Sequence, residues 1–130
     1  MRTLLPAGWP RPKGYANGVE ARGRIIWLAG QIGWTPDETF ASDDFVDQLD
    51  QALANVVALL AEAGATPEHV VRMTWFITDK AEYLASLGRT GEVWRRHMGR
   101  HFPAMSVVQV SALMEDRAKL EIEATAVVED

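Results

Sequence analysis

The chain has 130 residues, 48% hydrophobic and 24% charged, which suits one globular domain with a real core and excludes wholesale disorder. Thirteen basic against eighteen acidic side chains leave a net charge of -5, so there is no electrostatic footprint for nucleic acid. With no cysteine, disulfides, thiol nucleophiles and thiolate metal sites are excluded, and no segment reaches bilayer length. The opening Met1-Arg2-Thr3-Leu4-Leu5-Pro6 lacks the apolar run of a signal peptide, so a cytoplasmic location is expected.

No repeat, linker or low-complexity tract interrupts the chain. After a Pro/Gly-rich opening from Pro6 to Gly18, Arg24-Ile25-Ile26-Trp27-Leu28-Ala29-Gly30 reads as a strand, and Trp34-Thr35-Pro36-Asp37-Glu38 as a turn. Ser42 to Ala63 carries the strongest periodicity. Phe45, Leu49, Ala52, Leu53, Val56 and Leu60 recur at three- and four-residue steps, with Ser42 as a cap and Gly64 as a stop. Thr66-Pro67-Glu68 predicts one short helical turn, and Val70 to Thr78, β-branched and aromatic, predicts a strand. Asp79 opens a second helical stretch reaching Met98, with Gly88 and Gly91 as its weak points. Ser106–Leu113 and Lys119–Val128 complete the set as strands. In the last one Leu120, Ile122, Ala124, Ala126 and Val128 alternate with Glu121, Glu123, Thr125 and Val127.

The order strand, strand, helix, strand, helix, strand, strand implies an α+β layer: a single mixed sheet with two helices on one face. The helices cover one side of that sheet. The half-apolar face left over signals assembly with other copies.

Several blocks in fixed order then point to one family. They are Gly14-Tyr15-Ala16, Ile26-Trp27-Leu28-Ala29-Gly30-Gln31-Ile32, Val70 to Asp79, His101-Phe102-Pro103-Ala104 and Glu121-Ile122-Glu123-Ala124. Together they resemble the RidA/YjgF reactive intermediate deaminases, from roughly Lys13 to Val128. The resemblance implies a chorismate-mutase-like fold whose sheets meet in a homotrimeric barrel, with sites in the clefts between subunits. It also implies a small-molecule substrate handled without a cofactor, while the acidic charge, the lack of a third metal ligand and the lack of a long apolar span argue against nucleic acid, metal and membrane partners.

The family's site, as the resemblance implies it, holds an arginine on the substrate carboxylate, a glutamate positioning water, a strand serine, a tyrosine and nearby backbone groups. Tyr15, Gly30 and Glu121 match that pattern, but the serine is Ala29 and the arginine is Met105. A planar cation with five donors has become an uncharged thioether. The water-handling half is retained and the acid-recognising half is lost, so a ligand neutral or more apolar at that end is expected. Arg72 and Arg117 are the candidate replacements.

Imine hydrolysis needs water delivered to the C=N carbon and a proton delivered to nitrogen. A partly desolvated Glu121 suits both steps, with Glu123 on the same face and Tyr15 orienting water or substrate. Read by spacing alone, Glu121 and Glu123 are more simply a solvated strand face, and it is the family motif around Glu121 that brings the catalytic reading level with it. Two functions therefore stay open: a deaminase of imines or enamines with altered substrate preference, and a non-catalytic trimer that binds small ligands. RNA cleavage is a weaker third.

Other candidates carry less. His97 and His101 sit four apart but lack a third ligand, so core or surface roles are favoured over metal, with His101 expected at the cleft. Trp27, Trp75 and Trp94 suit the core or a subunit interface, and Trp34 a cleft wall. Arg95, Arg96 and Arg100 read as a solvated helix face.

Overall fold

The structure, a computed structural model, describes residues 1–130. In chain order the elements are β1 (Arg2–Leu4), β2 (Gly18–Glu20), β3 (Arg24–Ile32), α1 (Phe45–Glu62), a 3-10 turn (Pro67–His69), β4 (Val70–Ile77), α2 (Lys80–Ala85), α3 (Leu87–Met98), β5 (Ala104–Gln109) and β6 (Leu120–Val128). A four-stranded sheet runs β3-β6-β4-β5, antiparallel except for the β4–β5 pair. That parallel pair needs a long return path, and α2 and α3 supply it.

The alternation read in the last strand organises the core. Leu120, Ile122, Ala124 and Ala126 are each at most 5% exposed and meet the apolar stripe of α1. That stripe is the predicted one: Phe45, Leu49, Ala52, Leu53, Val56 and Leu60 are all buried. At the end of β3, Gly33 lets helix and strand close up. A Cβ there would lie 2.4 Å from the Gln48 carbonyl oxygen, a contact no side chain could relieve.

Three expectations need correction. The N-terminal segment does not join one sheet with the rest, because β1 and β2 form a separate antiparallel ribbon. The cap of α1 is Asp44, whose carboxylate accepts from the Asp47 amide at 3.0 Å, while Ser42 accepts from the Asp44 amide one step earlier. The second helical stretch divides at Ser86 and not at its glycines, giving three α-helices in place of two. The Ser86 hydroxyl donates to the carbonyls of Glu82 and Tyr83, and such side-chain competition for backbone acceptors bends helices.

Ion pairs then tie α1 to α3. Arg89 reaches Asp44 at 2.9 Å, and Asp50 takes both Arg96 and His97. The His97 hydrogen bond, aided by Arg96, holds the Asp50 carboxyl below its usual range against the opposing effect of burial.

One buried amide connects helix α1 to the start of β6. Gln48, 1% exposed, donates to the carbonyls of Ser42 and Arg117 and accepts from the Lys119 amide at 2.8 Å. Replacing it with leucine keeps the volume and strands these backbone groups. Gln48→Leu is expected to lower stability by about 3 kcal/mol, read as a drop in the urea midpoint. A loss under about 0.5 kcal/mol, the scatter of neutral surface changes, would show that the clamp does not hold the strand.

Candidate active site

Each residue singled out by sequence can be placed, and they fall into separate groups. Because Leu120 and Ile122 point into the core, Glu121 between them points to the opposite, helix-free face of the sheet. It pairs with Ile32 on β3 and Phe76 on β4. A register irregularity in β3 between Leu28 and Gln31 sets Gly30 beneath its carboxyl group. A Cβ at position 30 would lie 2.6 to 2.7 Å from the Cδ, Cγ and Oε2 atoms of Glu121. The carboxylate therefore rests on bare backbone at a sheet edge.

Met105 lies elsewhere. It pairs with the buried Met73 and packs against the core from the helix side. From Glu121 the path crosses Phe76 on β4 to Val108 on β5, and Met105 is three residues back along that strand. At ordinary strand spacings this puts the two roughly 10 Å apart across the sheet and roughly 10 Å along it. They also face opposite ways. Within one copy of the chain, Glu121 and Met105 cannot touch one small substrate.

Tyr15 does join Met105. The Ala16 amide donates to the Pro103 carbonyl at 2.9 Å, and Ala16 bridges in parallel to Ala104, so the opening segment is laid along the start of β5. Tyr15 and Met105 line a cavity of about 600 Å³ between β5, α2 and α3. Its apolar wall includes Trp75, Tyr83, Trp94 and Phe102, with the Trp94 and Phe102 rings stacked 6.3 Å apart. Burial pushes the Tyr83 phenol above its ordinary pKa, which keeps it neutral. Three cations also line this cavity: Lys13, Arg95 and Arg100.

His101 adjoins the Tyr15–Met105 group, and the other candidates lie apart from both. His101 Nε2 lies 2.6 Å from the Val70 carbonyl, an acceptor only, so that nitrogen carries the proton and the ring joins the end of α3 to β4. It also borders a neighbouring hollow shared with Tyr15. Trp34 packs on Phe40 and lines a shallow hollow near Arg117, away from Met105. Arg117 is paired with Asp43 at 2.9 Å and sits over the Phe40 ring, so it does not replace the missing arginine within the chain. Arg72 lies exposed on the open sheet face, with Thr74, Glu123, Thr125 and Trp27 around it. Of the basic cluster only Arg96 is tied to an acid, Asp50. Arg95, Arg100, Lys13, Trp75 and Thr90 are the cavity residues that sequence reasoning did not gather. The one available signal was the pair of arginines flanking the Gly99 helix end.

Gly30→Ala tests the seat of Glu121. The obstructing atoms are the tip of a flexible side chain, so stability is expected to change by less than about 1 kcal/mol. A crystal structure of the variant is expected to show the Glu121 carboxylate displaced from residue 30. An unmoved carboxylate would mean that the glycine has no part in placing it.

Comparison with known proteins places this geometry. Residues 10–128 match the family model described as Endoribonuclease L-PSP. A protein named 2-iminobutanoate/2-iminopropanoate deaminase, from Salmonella typhimurium, is 34% identical over 113 residues, covering 87% of this chain and 86% of that protein. The crystal structure of YyfB, a member of the conserved Rid protein family from Yersinia pestis, superposes with a TM-score of 0.86 at 31% identity, covering 98% of each chain. That of E. coli TdcF with bound serine gives 0.70 at 33% identity, covering 99% of this chain and 100% of that one.

Proposed function

Because the chain belongs to the RidA/YjgF family of reactive intermediate deaminases, we propose that it hydrolyses imines or enamines of small metabolites, with a substrate preference altered at Met105. The observation that carries this reading is the Glu121 carboxylate laid over Gly30 at a sheet edge, two matched positions brought together by a local irregularity of β3.

The site is proposed to be shared between copies. Gly30 lies on β3 and Met105 on β5, the two outer strands of the sheet, and β6 with Glu121 adjoins β3. A neighbouring copy that brings its β5 edge to this β3 edge would set one Met105–Tyr15 wall against the other's Glu121. The exposed sheet face supports assembly, since Trp27 is 74% and Ile25 48% exposed on the same face as Glu121. Three copies closing a barrel is the arrangement proposed.

In such a cleft Glu121 takes a proton from water as the oxygen adds to the C=N carbon. Glu121 passes that proton to the imine nitrogen, giving a carbinolamine that carries –OH and –NH2 on one carbon. Glu121 then takes the hydroxyl proton and delivers it to that nitrogen, the C–N bond breaks, and ammonia leaves as the carbonyl forms. No redox step is involved, and water supplies the carbonyl oxygen and the two hydrogens that ammonia gains. Tyr15 orients the water or the substrate.

The changes at Ala29 and Met105 favour one second reading, a trimer that binds small ligands without turnover. Ammonia release from freshly generated imines separates the two. Glu121→Gln is expected to cut turnover by about a hundredfold or more, the usual worth of a placed general base. Absence of turnover in both the native and variant proteins would favour the binding reading. Met105→Arg is expected to raise kcat/KM on small α-imino acids by about tenfold or more, as a charged hydrogen-bond pair provides. No gain would place the limit at Ala29 or in the shape of the cleft.

A further inference from the structure

Two buried polar atoms lie beside the Met105 cavity without a partner. Trp75, 2% exposed, has an indole Nε1–H that donates to nothing, and Thr90, 7% exposed, has a hydroxyl that bonds to nothing. Glu82 Oε1 is the only other such side-chain atom in the chain, and Glu82 does not line the cavity. A buried donor without an acceptor carries its full desolvation penalty, and natural folds rarely leave two around one space. Each residue lines this one cavity.

Charge at the same place is one-sided. Lys13, Arg95 and Arg100 line the cavity, no aspartate or glutamate does, and none of the three cations is in an ion pair. In a protein of net charge -5 this clustering is against the general balance. The same cavity is walled by aromatic side chains, including the stacked Trp94 and Phe102. A volume of about 600 Å³ is that of a pocket for a ring-bearing ligand.

From these observations we infer that the Met105 cavity takes a small organic anion with an aromatic body, its charge gripped by Arg95, Arg100 and Lys13 in place of an arginine at position 105. The ring lies against Trp94 and Phe102. A carbonyl or imine group of the ligand accepts from Trp75 Nε1 and Thr90. Met105 then serves as an apolar wall, suited to a ring edge, since thioethers pack well against aromatics. This inference rests on the deaminase reading only for placing the cavity in the reaction cleft. The binding itself does not need turnover.

The test uses three carbonyl compounds with the intact protein, by titration calorimetry. Phenylpyruvate carries ring and charge, phenylacetone the ring without charge, and pyruvate the charge without the ring. Phenylpyruvate is expected to bind at least tenfold more tightly than either of the others. In the double variant Arg95→Gln/Arg100→Gln, both exposed positions where folding is not at stake, its affinity is expected to fall about tenfold while that of phenylacetone stays. Trp75→Phe, which keeps the ring and removes the N–H, is expected to weaken all three. Equal affinities for phenylpyruvate and phenylacetone would overturn the inference, as would an equal loss of both in the arginine variant. Tight phenylpyruvate binding with no ammonia release from any imine would sink the deaminase reading and leave this one standing. Turnover with no preference for the aromatic acid would do the reverse.

Discussion

The pleat of one strand governs the rest of this molecule. In β6 every second side chain from Leu120 to Ala126 is locked into the core, so Glu121 has no choice but the open face. A slip of one residue would bury Glu121 and Glu123 among α1 side chains and expose leucine and isoleucine instead, at a cost of several kcal/mol per buried charge. The register is held from both sides, by β3 and β4, and at its start by Gln48 through the Lys119 amide. Where the acid sits is therefore a consequence of core packing and not of any contact the acid makes itself.

The same alternation acts on β5 with the opposite result. Met105 pairs with core-facing Met73, and so this residue, which the resemblance sets where the family has its arginine, turns to the helix side. Two functional groups on opposite faces and near opposite edges of one small sheet cannot cooperate within a chain. They can do so between chains, where edge meets edge. An exposed edge strand is a hazard that proteins cover or pair, and in this fold covering it and completing a reaction site would be one event.

In the inferred site, recognition of charge falls to α3, the turn after it and the opening loop, and not to a strand. An arginine on β5 would lie partly buried, where an ion pair is little screened. Arg95 and Arg100 are exposed, and exposed pairs contribute modestly and weaken with salt. A ligand held by such cations needs more from apolar contact. The walls formed by Trp75, Trp94 and Phe102 are suited to provide it.

The α1 stripe, the last strand and the 3-10 turn after Thr66 were legible in the residues because each depends on local periodicity or a local cap. The resemblance pointed to Tyr15, Gly30, Met105 and Glu121, and the fold lays Glu121 over Gly30 and sets Tyr15 and Met105 around one cavity. The ribbon of β1 and β2 was not legible, since three-residue strands have no period to read, and the break at Ser86 hid behind two more conspicuous glycines. Trp34 and Arg117 were drawn toward the cleft by residue type, whereas the fold gives them Phe40 and Asp43 as partners. The chain by itself determined which face each strand residue takes, because alternation is a property of the backbone. Only the tertiary structure decided that Lys13, Arg95, Arg100, Trp75 and Thr90 meet around one space. They come from a loop, a helix and a strand far apart in sequence, and nothing short of packing those elements brings them together.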